Sequence, residues 1–371
     1  MEIFEKVKYE EKEKKVNMDY KNGLSDRRHP APTPVSLLDE NGRAVFGTFD
    51  KEFQHIDLMK IKDQSFLPDF MNWFRYSEWE AVEVNFTDCV LLTAICFMGI
   101  LTTGVTCVYD KKTGELLSWD KTYVLSRKVK LAGTLINGDT SSLNDKDFTF
   151  RCVNNFERGE AHVTGFAGNK KCGNVIYDIN LKRECLPSVV SIPFGDNKPL
   201  YTQKDVFSAK GFLEVNGKRY DCGSGTVAII DDHKGYYPRR MHYDWVTTMG
   251  KKTVDGKEQY FGVNLTRNQS INQVDFNENL IWFEGKSSRL PPVRFEHISY
   301  NEWKVRDVYG MVDVDIHIKN RYIRRIKASP VMNIKYHIVY GELSGYVMDE
   351  QGNKWSLDGM AAIGEDKSML Y

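Results

Sequence analysis

The run Ile230-Asp-Asp-His-Lys-Gly-Tyr-Tyr-Pro-Arg-Arg-Met-His-Tyr-Asp-Trp245 is the most polar and aromatic stretch in the chain. If residues 239–246 form a strand, alternation puts Arg240, His242 and Asp244 on one face and Arg239, Met241, Tyr243 and Trp245 on the other. His242 and Asp244 would then lie roughly 7 Å apart, close enough to address one ligand. His242 can exchange a proton near neutral pH, and Asp244 can do so if burial raises its carboxyl. Arg240 beside them would instead hold Asp244 ionised, and such a trio also serves simply to satisfy a barrel interior. Both readings stay open. Register decides which face turns inward, and the polar set is the expected cavity lining. Upstream, Asp231, Asp232 and His233 precede Gly235 at an expected strand end or turn, with Asp232 kept as an acid–base candidate.

Candidate ligand contacts come from the same run and from the segment after it. Tyr237, Tyr243, Trp245 and Arg239 offer stacking and cation–π surfaces. Asn264, Glu278 and Asn279 could orient the polar end of a ligand in an apolar cavity, or equally bond to nearby backbone. There is no H-E-x-x-H, no Walker loop, no dinucleotide fingerprint and no Gly-x-Ser-x-Gly elbow. Histidines 55, 162, 233, 242, 297, 317 and 337 occur singly, so a metal would need ligands from distant strands. A facing pair of His317 and His337 is weighed, but neither a metal nor a cofactor is expected.

The elements that would position these residues are short. Turn signals such as Asn137-Gly138, Asn216-Gly217 and Asp255-Gly256 recur between alternating runs such as Val312-Asp-Val-Asp-Ile-His-Ile318. That spacing predicts antiparallel hairpins in barrels or sandwiches. A single helix is expected near Gln203–Ala209. The uncharged run from Cys89 to Tyr109 is long enough to cross a bilayer, yet it is rich in Thr and β-branched residues and reads as two core strands, with a turn or bulge at Gly104. With 371 residues, two domains are the default. The division expected is a charged lead and linker over 1–33, one β domain over 34–195 and a second over 196–371. The segment from Leu186 to Pro199 is the expected hinge.

Lys plus Arg and Asp plus Glu both total 51, so the formal charge is zero. That balance argues against a nucleic-acid partner, which normally requires a basic excess. The seven cysteines show no C-x-x-C spacing, and the charged start has no apolar segment, so cytoplasmic residence with free thiols is expected.

The stretch from Gly225 to Trp245 resembles the central signature of the family catalogued as domain of unknown function 2804. The likeness continues through Phe261-Gly-Val-Asn-Leu265, Glu278-Asn279, Glu284-Gly-Lys286 and the closing Gly341-Glu-Leu-Ser-Gly-Tyr and Leu357-Asp-Gly-Met segments. Pro238, Arg239 and Trp245 match, whereas Met241, Tyr243 and Asp244 stand where the family usually has Thr, Trp and Asn. The resemblance implies an all-β fold of two lipocalin-like antiparallel barrels, similar to carotenoid hydratases and tocopherol cyclases. It also points to an apolar small-molecule ligand such as an isoprenoid, lipid or steroid-like compound.

Three function classes follow. One is a cofactor-free lyase or isomerase that protonates a double bond, with Asp244 or His242 as donor. The second is a carrier using the same cavity without proton transfer. The third, weaker, is a carbohydrate-active or carbohydrate-binding β module using Glu278 and Asp244. No stable membrane insertion is expected, and homo-oligomer formation stays open.

Overall fold

The computed structural model describes residues 23–64, 68–126, 128–328 and 332–370, so most of the charged lead lies outside the described residues. Its strands form two antiparallel sheets, and its helices are short 3-10 turns. The main path of the first sheet runs Leu116–Val124, Leu101–Asp110, Cys89–Met98, Tyr76–Asn85, Val227–Tyr236, Pro199–Val215, Gly173–Arg183, Glu160–Asn169, Phe148–Asn155, Asp139–Asp145 and Val129–Lys130. It curls until its ends approach: Lys121 Nζ reaches Asp147 Oδ2 at 3.0 Å, and Trp119 donates its indole N–H to the Gly173 carbonyl at 2.8 Å. The second sheet orders Lys286–Arg289, Leu280–Phe283, Lys257–Arg267, Arg240–Val254, Ala361–Leu370, Met332–Met348, Val312–Ala328, Glu302–Arg306 and Arg294–Ser299. The expected fold class of two lipocalin-like β-barrel domains is observed.

Each half-barrel has its own apolar interior. The first is filled by Phe148, Phe150, Tyr177 and their neighbours, the second by Val263, Val314, Ile316 and Trp303. A third cluster joins the sheets face to face, with Leu92, Val206 and Ile229 against Trp245, Trp282 and Ile363. Tyr109 and Tyr340 stack across that seam at 5.5 Å. The central strands are therefore buried on both faces.

Several expectations change. The division near residue 195 falls inside the first sheet, because the strands Pro199–Val215 and Val227–Tyr236 belong to it and the second sheet begins at Arg240. The helix at Gln203–Ala209 is instead part of the strand Pro199–Val215. Leu200, Thr202, Lys204 and Val206 face the seam while Tyr201 and Phe207 fill the first barrel, so no exposed polar face marks the strand. Cys89–Tyr109 is a hairpin of two core strands, as expected, but it turns at Gly99 rather than Gly104. Gly104 sits mid-strand beneath Phe148, where a Cβ would come within 2.6 Å of the ring. No helix among the described residues is long and apolar enough to cross a membrane.

The linker is anchored at Arg28. Arg28 is buried and donates to the Leu290 carbonyl and, at 2.7 Å, to the Asn279 carbonyl. Burial, with repulsion from Arg289, lowers its pKa to about 9.

The strand Pro199–Val215 bends at Gly211, whose φ of +136° is left-handed and whose Cβ would lie 2.0 Å from the Asp178 carbonyl oxygen. Gly211→Val should therefore destabilise the fold by about 2 kcal/mol or more, through strain and a backbone clash. A urea midpoint equal to that of the wild type would refute this.

Candidate active site

Alternation along two neighbouring strands builds the site. In Val227–Tyr236, Asp231 and His233 point to the seam, and in Pro199–Val215 so do Thr202 and Lys204. The register sets Lys204 opposite Asp231 and Thr202 opposite His233. Glu278, from the loop before Leu280–Phe283 of the second sheet, closes the group. Lys204 Nζ lies 2.6 Å from Glu278 Oε2, 3.2 Å from Asp231 Oδ1 and 3.0 Å from Thr202 Oγ1. Its hydrogen bonds run to Thr202, Glu278 and His233 Nε2, while Asp231 Oδ1 is an ion-pair contact. Thr202 in turn donates to Glu278 at 2.7 Å.

His233 completes the network. Its Nε2 shares a hydrogen bond with Lys204 Nζ at 2.8 Å and lies 3.0 Å from Asp231 Oδ1. Two carboxylates and one ammonium leave one negative charge uncompensated. Burial alone would lower the His233 pKa, but Asp231 outweighs it and lifts the imidazole above its ordinary 6.5. Asp231 and Glu278 are both held below the usual carboxylate range despite burial, by His233 and Lys204. The other ring nitrogen, Nδ1, is buried and has no hydrogen-bond partner.

This network opens on a cavity between the sheets, of about 100 Å³. A single water needs roughly 10–15 Å³, so the cavity admits a slender organic molecule. Its wall is largely aromatic: Trp79, Tyr237, Tyr243, Trp245 and Tyr336 all line it. Trp79 packs over the His233 ring at 4.4 Å and stacks with Tyr237 at 5.6 Å. Two further carboxyls face the cavity. Glu83 is fully buried with Oε2 unpartnered, and burial plus the Asp231 charge push its pKa well up. Glu365 accepts from the Tyr243 hydroxyl at 2.7 Å and from the Tyr336 hydroxyl, and burial raises its pKa too.

The expected cavity lining therefore needs correction. The aromatic face of the strand Arg240–Val254 lines the cavity, with Tyr243 and Trp245, and the polar face turns to the other side of the second sheet. Arg239 and Arg240 are exposed. Asp232 points into the first barrel and pairs with Lys234. Asn264 accepts from the Trp245 indole at 2.6 Å and donates to the Glu278 carbonyl at 2.9 Å, so it positions two cavity residues. Asn279 is spent on the backbone of Thr266 and Pro291. Glu278 and Tyr237 do reach the cavity. Asp231, His233, Lys204, Glu83 and Glu365 were not singled out as cavity residues; the signal available was a charged residue recurring inside otherwise apolar, β-branched runs.

Asp244 instead centres an ion-pair cluster on the inner face of the second sheet. His242 Nε2 lies at 3.2 Å, His297 Nε2 at 3.0 Å and Arg267 Nη1 at 3.8 Å from its oxygens. His337 approaches Asp366 at 3.5 Å, while His317 bonds to Ser344, so the weighed His317–His337 pair does not form. His242, Asp244 and Asp366 offer ligand atoms within 4.8 Å of one another. Arg267 sets a fixed positive charge against the same carboxylate, which favours ion pairing over a metal there.

The chain matches the family described as Domain of unknown function (DUF2804) over residues 28–371. It belongs to that family. No curated protein matches this DUF2804 sequence. Among solved structures it is similar to kievitone hydratase from Nectria haematococca, at 10% identity and a TM-score of 0.45, covering 80% of this chain and 88% of that one. CghA with Sch210972 gives 10% identity and 0.46, covering 90% and 96%. A putative AttH from Nitrosomonas europaea gives 12% and 0.41, covering 82% and 97%.

The Asp244 cluster makes a pH-dependent prediction. Burial alone would raise the Asp244 carboxyl, but hydrogen bonds from His242 and His297 bring it down to about 2, and the His242 bond to Asp244 lifts His242 above 6.5. A depressed acid stabilises above its unfolded pKa and loses that contribution as pH falls towards 2; a raised histidine stabilises below 6.5 and loses it as pH climbs through the raised value. Asp244→Asn should therefore cost most between about pH 4 and 6.5, on the order of 1–3 kcal/mol, and less at pH 8. Thermal melts of both proteins across that range check it. A penalty that does not change with pH would refute it.

Proposed function

We propose that the protein is an acid–base enzyme of the hydratase, lyase or isomerase type, acting on an apolar small molecule held between the two sheets. The observation that carries this reading is His233: an imidazole wired through Nε2 into a buried Asp231–Lys204–Glu278 network, with its other nitrogen unpartnered in an aromatic-walled cavity. What sets His233 apart from His337, whose nitrogens also lack hydrogen-bond partners, is that its ring lines the cavity.

In this mechanism Nδ1–H of the His233 imidazolium gives its proton to a carbon of a substrate double bond or enol. Positive charge developing on the substrate is stabilised by the faces of Trp79 and Trp245. In hydration water adds and its surplus proton returns to Nδ1; in isomerisation Nδ1 takes a proton from a neighbouring carbon. Glu83, whose carboxyl burial pushes well up, is a second proton carrier on the same wall. This reading moves the acid role from Asp244 and His242, which face away from the cavity, to His233.

The test begins with mass spectrometry of small molecules retained by the purified protein, followed by incubation of each in deuterated water. His233→Gln should abolish deuterium uptake or water addition, with a loss on the order of 10² to 10⁴ in turnover. Asp244→Asn should leave the rate unchanged. The wild-type rate should fall as pH rises through the raised His233 pKa, because the donor form disappears. Equal conversion by His233→Gln and wild type would remove His233 as the acid. Retention of molecules with no conversion by any variant would favour a carrier.

A further inference from the structure

Lys367 is 7% exposed and projects from the strand Ala361–Leu370 into the cavity. The register sets Tyr243 opposite it on one neighbouring strand and Tyr336 opposite it on the other. Trp79 of the first sheet adds a third ring. The ammonium lies 5.2 Å from the Trp79 ring centre, 5.7 Å from Tyr243 and 5.1 Å from Tyr336. Ring faces attract a cation but accept no strong hydrogen bond. Among the described residues Lys367 makes no hydrogen bond and no ion pair, although an ammonium has three hydrogens to place.

The surrounding charges explain why that matters. Asp231 and Glu278 are balanced by Lys204 and His233. Arg324, which also lines the cavity, has Asp120 at 3.5 Å. Glu365, the carboxyl nearest along the strand, turns its oxygens to the Tyr243 and Tyr336 hydroxyls. Lys367 thus has no anion in direct contact; Glu365 acts on it only across space, in a cavity walled largely by aromatic and aliphatic side chains. A buried charge left in that state is costly unless something arrives to pair with it. A second donor points the same way: Asn268 is 5% exposed, lines the cavity, and its Nδ2 is buried without a partner.

We infer that the cavity's ligand is an apolar molecule bearing one oxyanion, a carboxylate or an enolate, that docks on Lys367 within the Trp79–Tyr243–Tyr336 cage. This names the ligand class of the site proposed above and rests on that cavity being the binding site, but it does not depend on proton transfer. The anion anchors one end, the rings and aliphatic wall hold the body, and His233 addresses the molecule from the opposite sheet. An enolate in this position would also have its negative charge stabilised by the ammonium during protonation at carbon.

Calorimetric titration with octanoate and with 1-octanol tests the inference on the intact protein. The two probes share a chain length and differ in the anion. Wild type should bind octanoate about 10- to 100-fold more tightly, the range expected for hydrogen bonds to a charged group. Lys367→Met keeps the stem against the three rings and removes the charge, so the preference should vanish. The same variant should raise the unfolding temperature of the ligand-free protein, because an unpaired buried ammonium is gone; a purely structural lysine would lower it. Equal affinity of wild type for the two probes, binding of neither, or an unchanged preference in Lys367→Met would overturn the inference. His233→Gln should retain the octanoate preference. A protein that prefers octanoate yet exchanges no deuterium would defeat the proton-transfer reading and leave this one standing.

Discussion

The strand Val227–Tyr236 is buried on both faces, and the rest of the structure is arranged around that constraint. A doubly buried strand normally reads as a continuous apolar run. This one begins that way, through Ile230, and then carries Asp231, Asp232, His233 and Lys234 into buried positions. Alternation divides the four. Asp232 and Lys234 enter the first barrel and pair with each other, whereas Asp231 and His233 enter the seam and need partners from elsewhere. Lys204 comes from the neighbouring strand and Glu278 from the other sheet, separated from Lys204 by 74 positions. The two half-barrels are therefore joined by a charge network as well as by apolar contact. Truncating one member would leave a buried charge unpaired, at a cost of about 3–5 kcal/mol.

The same constraint explains what could be read from the sequence. Hairpin spacing and antiparallel order were legible, because turns announce themselves through Asn-Gly and Asp-Gly pairs; the two barrels were implied by the family resemblance. The hairpin at Cys89–Asp110 was legible for its β-branched content. What alternation could not tell was which of two buried faces meets the cavity. For Arg240–Val254 the period-2 pattern separates Asp244 and His242 from Tyr243 and Trp245 correctly, but Asp244 is buried on one side of the sheet as Trp245 is on the other. Polarity pointed to the wrong set because the second barrel supplies its own histidine partner, His297, to Asp244 from a strand fifty residues away.

The expectation of a strand end or turn at Asp231 to His233 fails for a physical reason: these residues lie inside the doubly buried strand Val227–Tyr236. Rules of thumb assign charged residues to solvent, and here the solvent-facing strand edges are elsewhere. Asn264 and Asn279 were recognised as amides with work to do, and their work is internal: one fixes the Trp245 indole and the other ties the Thr266 backbone to the Pro291 segment. Asn264 still shapes the cavity, since it sets the orientation of an aromatic wall residue.

The two charge clusters of this protein differ in how fully they are satisfied. In the Asp244 cluster the central carboxylate faces two histidines and an arginine, and the depressed pKa of about 2 marks it as an anion that contributes to stability. Around the cavity the partners run out. His233 Nδ1, Glu83 Oε2 and Asn268 Nδ2 are buried and unpaired, and Lys367 has only ring faces. Unpaired polar atoms occur elsewhere too, as at Ser191 and Tyr340. At the cavity, however, they comprise an imidazole, a carboxyl, an amide and an ammonium around one space large enough for a ligand. For stability alone, apolar replacements of similar volume would serve as well or better. The arrangement is consistent with a cavity whose polar groups are completed by a bound molecule rather than by the protein itself.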